Sequence, residues 1–415
     1  MPLHRIRLDS GKPGANQLKY RYPIGLTSQF YFCGMPFRID SYRGCPSGCV
    51  YCFVNSRNGN YKKKMQYADI ALLRKWFHLA LNQRLEPQNI IIECLRRRMP
   101  LHFGGISDPL LIPQSSRNIT LEILELLDHY RYPTLISTKA NIKEFKDFSD
   151  IILRKPHFAL QISFSTMNDA IGKSVEPNAP IPSKRIKGAS YALENGNWVA
   201  CRLQPYFPGQ DVDDLLARIS SVGFRHLTVE HFKLPFDGKV NVTKLNRAFA
   251  IDILDLFPKG ERIKRGREFE MPNDIRLQAI RKFKRAAASH NIPIGIGDNG
   301  FQHLSTTDCC CGIDNLPGFE NWYKYTITQA VRRARLTEKE IKYNSIENEW
   351  TPKSSITRML NSKSRLKNSA NTVRDHIKLH WHSNRQFSPA MFYGVVYRRY
   401  ANFYKYYLED ILYEV

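Results

Sequence analysis

The sequence contains no run of about 18 apolar residues, the length that a membrane-spanning helix needs. Residues 1–7 also lack the apolar stretch of a secretory signal peptide. These two absences exclude the usual sequence signatures of membrane insertion and of export. We therefore expect a soluble, cytoplasmic protein without a membrane partner.

Acidic residues are scarce relative to basic ones. The 415-residue chain has 38 Asp and Glu against 62 Lys and Arg, which gives a formal net charge of +24 at pH 7. Such a surplus is large for an enzyme of small metabolites and predicts attraction to a polyanion. Nucleic acid, either DNA or RNA, is the expected partner, and a role in solubility alone is the alternative.

Cysteine is also sparse, with nine residues in the chain and no export signal, so a disulfide framework is not expected. Cys45, Cys49 and Cys52 follow the spacing C-x3-C-x2-C, and no matching His or Cys pair nearby completes a four-ligand zinc site. An iron–sulfur cluster normally takes four cysteines, so three cysteines leave one iron open. A structural zinc knuckle and three unrelated thiols are the alternatives.

From Phe37 onward, strand-like and helix-like segments alternate, which is typical of a parallel sheet with crossover helices. The expected strands are 37–42, 101–103, 134–137, 158–164, 198–205, 225–230 and 292–296. The expected helices are 68–83, 118–130, one ending near 153, 184–194 and 211–222. This order predicts the α/β class and a partial (β/α)6 barrel, with its chemistry at the carboxyl ends of the strands.

The pattern divides the chain into an N-terminal arm (1–36), the barrel (37–300), a Cys-rich segment (301–320) and a basic, aromatic C-terminal domain or extension (321–415). We expect residues 239–290 to be mainly helical, with an interrupting charged loop at 258–267. The C-terminal part is also expected to be mainly helical. Its aromatic spacing predicts a helix that begins near Pro389 and carries Phe392, Val396, Tyr400, Phe403 and Tyr407.

Basic and aromatic residues are interleaved where a polyanion would bind. Residues 55–64 follow the cysteines directly and combine Tyr61 with a lysine triplet, which suits base stacking and phosphate contact. An ordinary solvated loop is the alternative. The aromatic face of the predicted C-terminal helix is expected to pack in the core, with a base-stacking platform as the alternative, and Arg398, Arg399 and Lys405 are candidates to face a phosphate backbone.

Further motifs follow the cysteine loop in a fixed order, namely Gly105–Pro109, Ser137–Lys139, Ser163–Ser165 and Glu176-Pro177 with Arg185. The cysteine spacing and the aromatic residue after it resemble the radical S-adenosylmethionine (SAM) superfamily. The order of the later motifs resembles its spore photoproduct lyase-like branch. The match covers roughly residues 38–235.

The resemblance implies a four-iron four-sulfur cluster on Cys45, Cys49 and Cys52, with SAM bound at the open iron. Reductive cleavage of SAM would then yield a 5′-deoxyadenosyl radical, with an electron donor such as flavodoxin or ferredoxin. The resemblance also implies a set of residues around SAM: Tyr51, Phe53, Gly104, Gly105, Ser107, Lys139, Ser163 and Ser165. Among these, Lys139 would pair with the SAM carboxylate, and the aromatic pair would lie near adenine.

The sequence departs from spore photoproduct lyase itself at one important position. The lyase carries a hydrogen-donating cysteine just before its Ser-Asp segment, whereas residues 104–107 contain no thiol. We therefore expect shared radical initiation but a different downstream reaction. Repair or modification of a flipped or unpaired nucleotide is the first hypothesis. A radical SAM enzyme of a small metabolite or peptide, and a nucleic-acid-binding protein with a structural metal, are the alternatives.

Three consecutive thiols, Cys309, Cys310 and Cys311, follow the last predicted strand. If this segment returns to the mouth of the barrel, one thiol is a candidate hydrogen donor or ligand of a second cluster. Because adjacent side chains splay apart, we do not expect all three to ligate the same cluster.

Overall fold

The protein is described from a computed structural model. The structure describes residues 19–20, 23–27, 29–54, 65–83, 89–236, 240–337, 340–347, 349–357, 371–382, 388–401 and 403–409. The basic run at 55–64, which we expected to contact phosphate, lies outside the described residues.

The described strands are β1 (Lys19–Tyr20), β2 (Ile24–Leu26), β3 (Phe37–Ile39), β4 (Tyr42–Arg43), β5 (Gln66–Ala68), β6 (Leu101–Phe103), β7 (Thr134–Thr138), β8 (Phe158–Phe164), β9 (Val199–Tyr206), β10 (Leu227–His231), β11 (Leu234–Pro235), β12 (Ile263–Arg265), β13 (Glu268–Glu270), β14 (Ile294–Ile296), β15 (Glu340–Ile341), β16 (Val395–Tyr400) and β17 (Phe403–Leu408).

The described α-helices are α1 (Ile70–Leu81), α2 (Ile90–Arg96), α3 (Arg117–His129), α4 (Lys146–Ile152), α5 (Asp169–Val175), α6 (Pro182–Glu194), α7 (Val212–Val222), α8 (Val242–Phe249), α9 (Asn273–Ser289), α10 (Ile327–Thr337) and α11 (Val373–Trp381). None of these described helices is long and apolar enough to cross a bilayer.

A central sheet of eight strands has the order β14-β10-β9-β8-β7-β6-β3-β2. From β3 to β14 the neighbours are parallel and follow one another along the chain. Strand β2 pairs antiparallel with β3 at the edge. The expected α/β class with a central parallel sheet is therefore confirmed. Among the described strands, no pairing joins β14 to β2, so the sheet is open.

Helix and strand ends follow local chemistry that the sequence already carries. Helix α7 begins after Asp211, whose carboxylate accepts hydrogen bonds from the backbone N–H groups of Asp213 and Asp214. It ends at Gly223, which adopts a left-handed conformation with φ of 87°. Strands β7 and β8 are buried along their whole length, as expected for central strands of a covered parallel sheet.

Two expectations about secondary structure are wrong. The aromatic helix predicted from Pro389 is an antiparallel hairpin of β16 and β17, with β15 as its third strand. The charged segment 258–267 is not a loop throughout, because Ile263–Arg265 forms β12 and pairs antiparallel with β13, which follows the segment. The C-terminal segment is rich in Val and Tyr, which favour strands over helices.

The described part of the C-terminal segment packs on the core of the sheet. Its buried residues Ile327, Val331 and Trp381 belong to the same hydrophobic cluster as the strands. The backbone N–H of Ile327 donates to the carbonyl of Tyr31 at 2.8 Å, so this segment is also tied to the chain that precedes β3. This packing favours an extension of the main fold over an independent domain.

Candidate active site

The three-cysteine loop connects β4 to the segment that leads to β5. Cys45, Cys49 and Cys52 form no disulfide among the described residues and are half-buried. Gly44 and Gly48 have φ of 94° and 64°, a conformation that glycine adopts without strain. The glycines therefore allow the sharp turns that bring three thiols onto one short loop.

Backbone hydrogen bonds fix this loop against α5 and the turn that follows it. The N–H of Val50 donates to the carbonyl of Val175 at 3.0 Å, and the N–H of Asn178 donates to the carbonyl of Ser47 at 3.3 Å. The side-chain amide of Asn178 also donates to the carbonyl of Pro46 at 2.9 Å. The loop backbone is thus held in place without using the thiols.

Glu176, at the end of α5, is the centre of a buried network beside the loop. Tyr51 donates a hydrogen bond from its hydroxyl to Glu176, and Ser165 donates to the same carboxylate oxygen at 3.2 Å. Arg185 pairs with the other oxygen, and both partners of this ion pair are fully buried. Lys139 completes the group, with Nζ 4.0 Å from Oε1 of Glu176.

The charges in this network stabilise one another. Burial alone would raise the pKa of Glu176, but Arg185 and Lys139 hold it below its ordinary value. Burial alone would lower the pKa of Lys139, but Glu176 raises it above its ordinary value. Burial raises the pKa of the Cys49 thiol to about 12, while the charge of Lys139 lowers it. At neutral pH a lysine cation and a carboxylate therefore lie beside the cysteine loop.

In the turn after β6 the backbone passes very close to the end of β7. Gly104 has φ of 101°, and a Cβ there would lie 2.5 Å from the carbonyl oxygen of Ser137. Asp108 then connects this turn to the next strand end, because its carboxylate accepts from the hydroxyl of Thr138 at 2.7 Å and from the N–H of Lys139 at 2.6 Å. The carboxyl ends of β6 and β7 are consequently fixed relative to each other.

The predicted SAM-binding residues fall into two groups. Tyr51, Lys139 and Ser165 meet at Glu176, next to Cys49, whereas Ser107 donates to the carbonyl of Tyr42 at 2.8 Å.

The other predicted SAM-binding residues flank these groups. Gly105 lies beside Arg38, Ser163 lies within β8 and is buried, and Phe53 is half-buried in the cysteine loop. Their contacts with a cofactor remain predictions.

Sequence reasoning missed a row of polar side chains that crosses the sheet, here called the central polar row. It contains His102, Ser137, Gln161, Arg202, Gln204, Glu230 and Lys233, joined in series by hydrogen bonds. The signal was present in the alternation of polar residues within apolar strands such as β8 and β9. The row gives the sheet a hydrogen-bonding face that an apolar core does not need.

The Cys-rich segment lies at the opposite end of the sheet. Cys309 packs with Leu135 and Ala159, the second residues of β7 and β8. The carbonyl of Cys310 accepts a hydrogen bond from Thr228, the second residue of β10, at 2.9 Å. The expectation that this segment returns to the carboxyl-end mouth is therefore wrong, and the contacts among the described residues do not join it to Cys49 or Lys139. A hydrogen-donor role for these thiols remains a prediction that this placement does not favour.

The expectation that the three thiols splay apart is also wrong. The sulfur atoms of Cys309, Cys310 and Cys311 all lie within 4.8 Å of one another. A run of turns and bends from residue 306 to 312, in place of extended backbone, turns the three side chains to one side.

Comparisons with known proteins give partial structural similarity. No protein-family model matches the sequence, and no curated protein matches it at a significant level. A variant of spore photoproduct lyase with a cysteine replaced by serine is similar at a TM-score of 0.46, with 14% identity over 66% of this chain and 78% of that one. The lyase complexed with dinucleoside spore photoproduct gives 0.45, with the same identity of 14% and coverage of 66% and 78%.

SuiB of Streptococcus suis, bound to S-adenosylmethionine, has a TM-score of 0.37 and 14% identity over 52% of this chain and 46% of that one. At these scores the similarity by itself assigns neither a family nor an activity.

Proposed function

We propose that this protein is a radical SAM enzyme whose parallel sheet curves as a partial (β/α)6 barrel. The observation that carries the proposal is the position of the three-thiol loop beside the Lys139–Glu176 pair, at the carboxyl ends of β7 and β8. Active sites of parallel barrels lie at this end of the strands. A structural zinc site would need no lysine beside its thiols.

The residues present suit a four-iron four-sulfur cluster with one open iron. Cys45, Cys49 and Cys52 are free of disulfides and lie on a loop whose backbone is fixed by other contacts. Thiolates are the usual ligands of such clusters, and three of them leave a coordination position for SAM. When bound, the reduced cluster supplies the electron that cleaves SAM to a 5′-deoxyadenosyl radical.

The chain's own residues would then bind and orient SAM. Lys139 is 18% exposed at its side chain, so its cation remains accessible to a carboxylate while Glu176 holds it in place. Tyr51 and Ser165 keep the carboxylate of Glu176 oriented. Arg185 neutralises this carboxylate, which leaves the charge of Lys139 available for the ligand.

We further propose that the substrate is a nucleic acid. The support is the net charge of +24 and the exposed surface of the β16–β17 hairpin. Tyr400 and Phe403 are 40% and 42% exposed, and their rings stack with centroids 5.2 Å apart. Exposed Arg398 and Arg399 lie on the same hairpin. Exposed aromatic rings beside cations are the combination that binds unpaired bases and phosphates.

The test combines radical initiation with substrate class. The chain is reconstituted anaerobically with iron and sulfide and reduced with dithionite, and 5′-deoxyadenosine is quantified by chromatography. Single-stranded DNA, duplex DNA and RNA are added in separate reactions, with an equal concentration of polyglutamate as a polyanion control. We expect one nucleic acid to stimulate 5′-deoxyadenosine formation and polyglutamate to leave it unchanged.

Three results separate the hypotheses. Stimulation by one nucleic acid supports both parts of the proposal. Equal 5′-deoxyadenosine formation under all conditions supports a radical SAM enzyme but contradicts a nucleic-acid substrate, and it favours a small metabolite or peptide. If no 5′-deoxyadenosine forms although the cluster is fully loaded, the proposed enzymatic activity is contradicted and a structural metal site is favoured.

A further inference from the structure

We propose that Cys309, Cys310 and Cys311 form a second metal site, which binds one Zn²⁺ ion through thiolates at the amino-terminal end of the sheet. This site is separate from the three-cysteine loop, and the inference does not depend on the proposed enzymatic function.

The distances between the thiols fit a single ion. All three sulfur atoms lie within 4.8 Å of one another. A tetrahedral zinc ion has Zn–S bonds of about 2.3 Å, so two sulfurs on the same ion lie about 3.8 Å apart. The three sulfurs therefore need to move little to share one ion. This is the one group of three such ligands within the described ranges.

The backbone of the segment is held from both sides, which pre-organises the thiols. The carboxylate of Asp314 accepts from the N–H groups of Asp308 and Cys309 at 3.1 Å and 3.2 Å. A turn closes between the N–H of Gly312 and the carbonyl of Cys309 at 2.9 Å. A Cβ on Gly312, which has φ of 71°, would lie 2.2 Å from the ring of His226. The turn that gathers the thiols is thus fixed by contacts that do not involve sulfur.

The segment also packs closely against β14, the last strand of the sheet. A Cβ on Gly295 in β14 would lie 2.0 Å from the carbonyl oxygen of Cys310, so only glycine allows this approach. Thr228 of β10 donates to the same carbonyl at 2.9 Å. A segment that only filled space beneath the sheet would not require three thiols. A turn that binds a metal explains both the thiols and the close approach of its backbone to β14.

We assign Cys33 as the fourth ligand, and its sulfur would have to move closer, because it is not within 4.8 Å of all three thiols. It packs in the same hydrophobic cluster as Cys309 and Cys311. A four-thiolate site would be closed, as structural zinc sites are. It would connect the chain before β3 to the segment after β14 and so link the two edges of the parallel part of the sheet.

Metal content of a full-length variant tests this site without interference from the loop. Cys45→Ala, Cys49→Ala and Cys52→Ala are combined so that the loop cannot bind metal. After equilibration with Zn²⁺ and dialysis, elemental analysis should find about one zinc ion per chain, the stoichiometry of a single tetrahedral site. Adding Cys310→Ser and Cys311→Ser should abolish the bound zinc, and adding Cys94→Ser and Cys201→Ser should leave it unchanged.

A spectroscopic measurement covers the case in which the Cys310→Ser, Cys311→Ser chain does not fold. Titration of the loop variant with Co²⁺ should produce thiolate-to-cobalt charge transfer and the visible bands of a tetrahedral site, both bleached by one equivalent of Zn²⁺. Absence of these bands in the folded loop variant overturns the proposal. Iron and sulfide in place of zinc, or zinc retained after the thiols are removed, would overturn it as well.

Discussion

Glu176, which is buried, and Lys139, which is partly exposed, form an ion pair with Nζ and Oε1 4.0 Å apart, next to the loop that carries Cys45, Cys49 and Cys52. The distance is longer than that of a tight salt bridge, and Arg185 already neutralises Glu176. Lys139 is therefore held in place by Glu176 while its charge remains available to a ligand carboxylate.

The first prediction concerns the stability that Glu176 provides. Glu176→Gln leaves the fully buried Arg185 and the nearby Lys139 without their counter-charge. Removing one partner of a buried pair costs about 3–5 kcal/mol. The measurement is urea unfolding of the metal-free chain. The control is Glu122→Gln, whose carboxylate pairs with Arg74 at 3.0 Å in a partly exposed position and should cost about 1 kcal/mol or less. Equal losses in both variants would contradict the role of Glu176.

A second prediction concerns SAM affinity. Lys139→Met removes the cation that we assign to the SAM carboxylate, which should weaken SAM binding roughly 10- to 100-fold, because a hydrogen bond to a charged group contributes about 1.5–3 kcal/mol. Equilibrium binding to the reconstituted chain measures this effect. Lys146→Met serves as control, since Lys146 is 86% exposed and pairs with the exposed Asp150. Unchanged affinity in Lys139→Met would refute the assignment.

A third prediction concerns pH. Burial raises the pKa of Asp40 from 3.8 to about 6, against the opposing effects of Arg38 and backbone hydrogen bonds. For an acid whose pKa is higher in the folded than in the unfolded chain, the contribution to stability is fully present below the unfolded pKa. This contribution is lost as the pH rises through the folded pKa. Ionisation of Asp40 should therefore lower the free energy of unfolding by about 3 kcal/mol between pH 4 and pH 7, at 1.36 kcal/mol per pKa unit.

Asp40→Asn tests this contribution while it keeps an acceptor for the N–H of Ile106, now 2.9 Å from the carboxylate. Urea unfolding of both chains across pH 4 to pH 7 should show that the variant gains stability relative to the wild type as the pH rises. A difference that does not change with pH would show that Asp40 does not titrate in this window.

The fourth prediction concerns the turn after β6. Gly104→Ala places a Cβ 2.5 Å from the carbonyl of Ser137, in addition to the strain of a positive φ. Gly196→Ala is the matched control, because Gly196 has φ of 82° but nothing within 4 Å of the added Cβ. We expect a cost of about 1–2 kcal/mol for the control and about 1–3 kcal/mol more for Gly104→Ala, both measured by urea unfolding. Similar costs would mean that the close approach at Gly104 is easily relieved.

The fifth prediction concerns the C-terminal hairpin. Tyr400→Ala and Phe403→Ala, made together, should weaken binding of a fluorescent single-stranded oligonucleotide by about 1–3 kcal/mol for each base that loses its stacking partner. Fluorescence anisotropy at fixed salt measures the affinity. Leu336→Ala removes an apolar side chain that is 80% exposed elsewhere in the C-terminal segment and should leave affinity unchanged. Loss in both variants, or in neither, would rule out specific stacking on the hairpin.

Much of the sheet could be predicted from the sequence because its strands carry strong local signals. The strand at Phe158–Phe164 has the bounds expected from its apolar run, and α7 lies within one residue of the expected range. The C-terminal hairpin was mispredicted for a physical reason. Aromatic residues spaced by three and four positions mimic a helical face, while the dense Val and Tyr content favours strands.

The site was predictable only where one short motif carries the chemistry. The three-cysteine loop, Lys139 and Ser165 were identified, and the structure brings them to one place. Glu176 was identified as part of a motif, but its position at the centre of the network was not predicted, because Tyr51 and Glu176 are 125 residues apart in the chain. The location of Cys309 at the amino-terminal end of the sheet likewise depends on packing, which spacing alone does not reveal.

The most direct test of the central claim is a single-turnover measurement of 5′-deoxyadenosine from the anaerobically reconstituted, dithionite-reduced chain with SAM. We expect 5′-deoxyadenosine from the wild type and from Cys201→Ala, whose buried thiol lies outside the site. We expect none from Cys49→Ala. Formation by Cys49→Ala at the wild-type level, or no formation by a wild-type chain with a full cluster, would contradict the account.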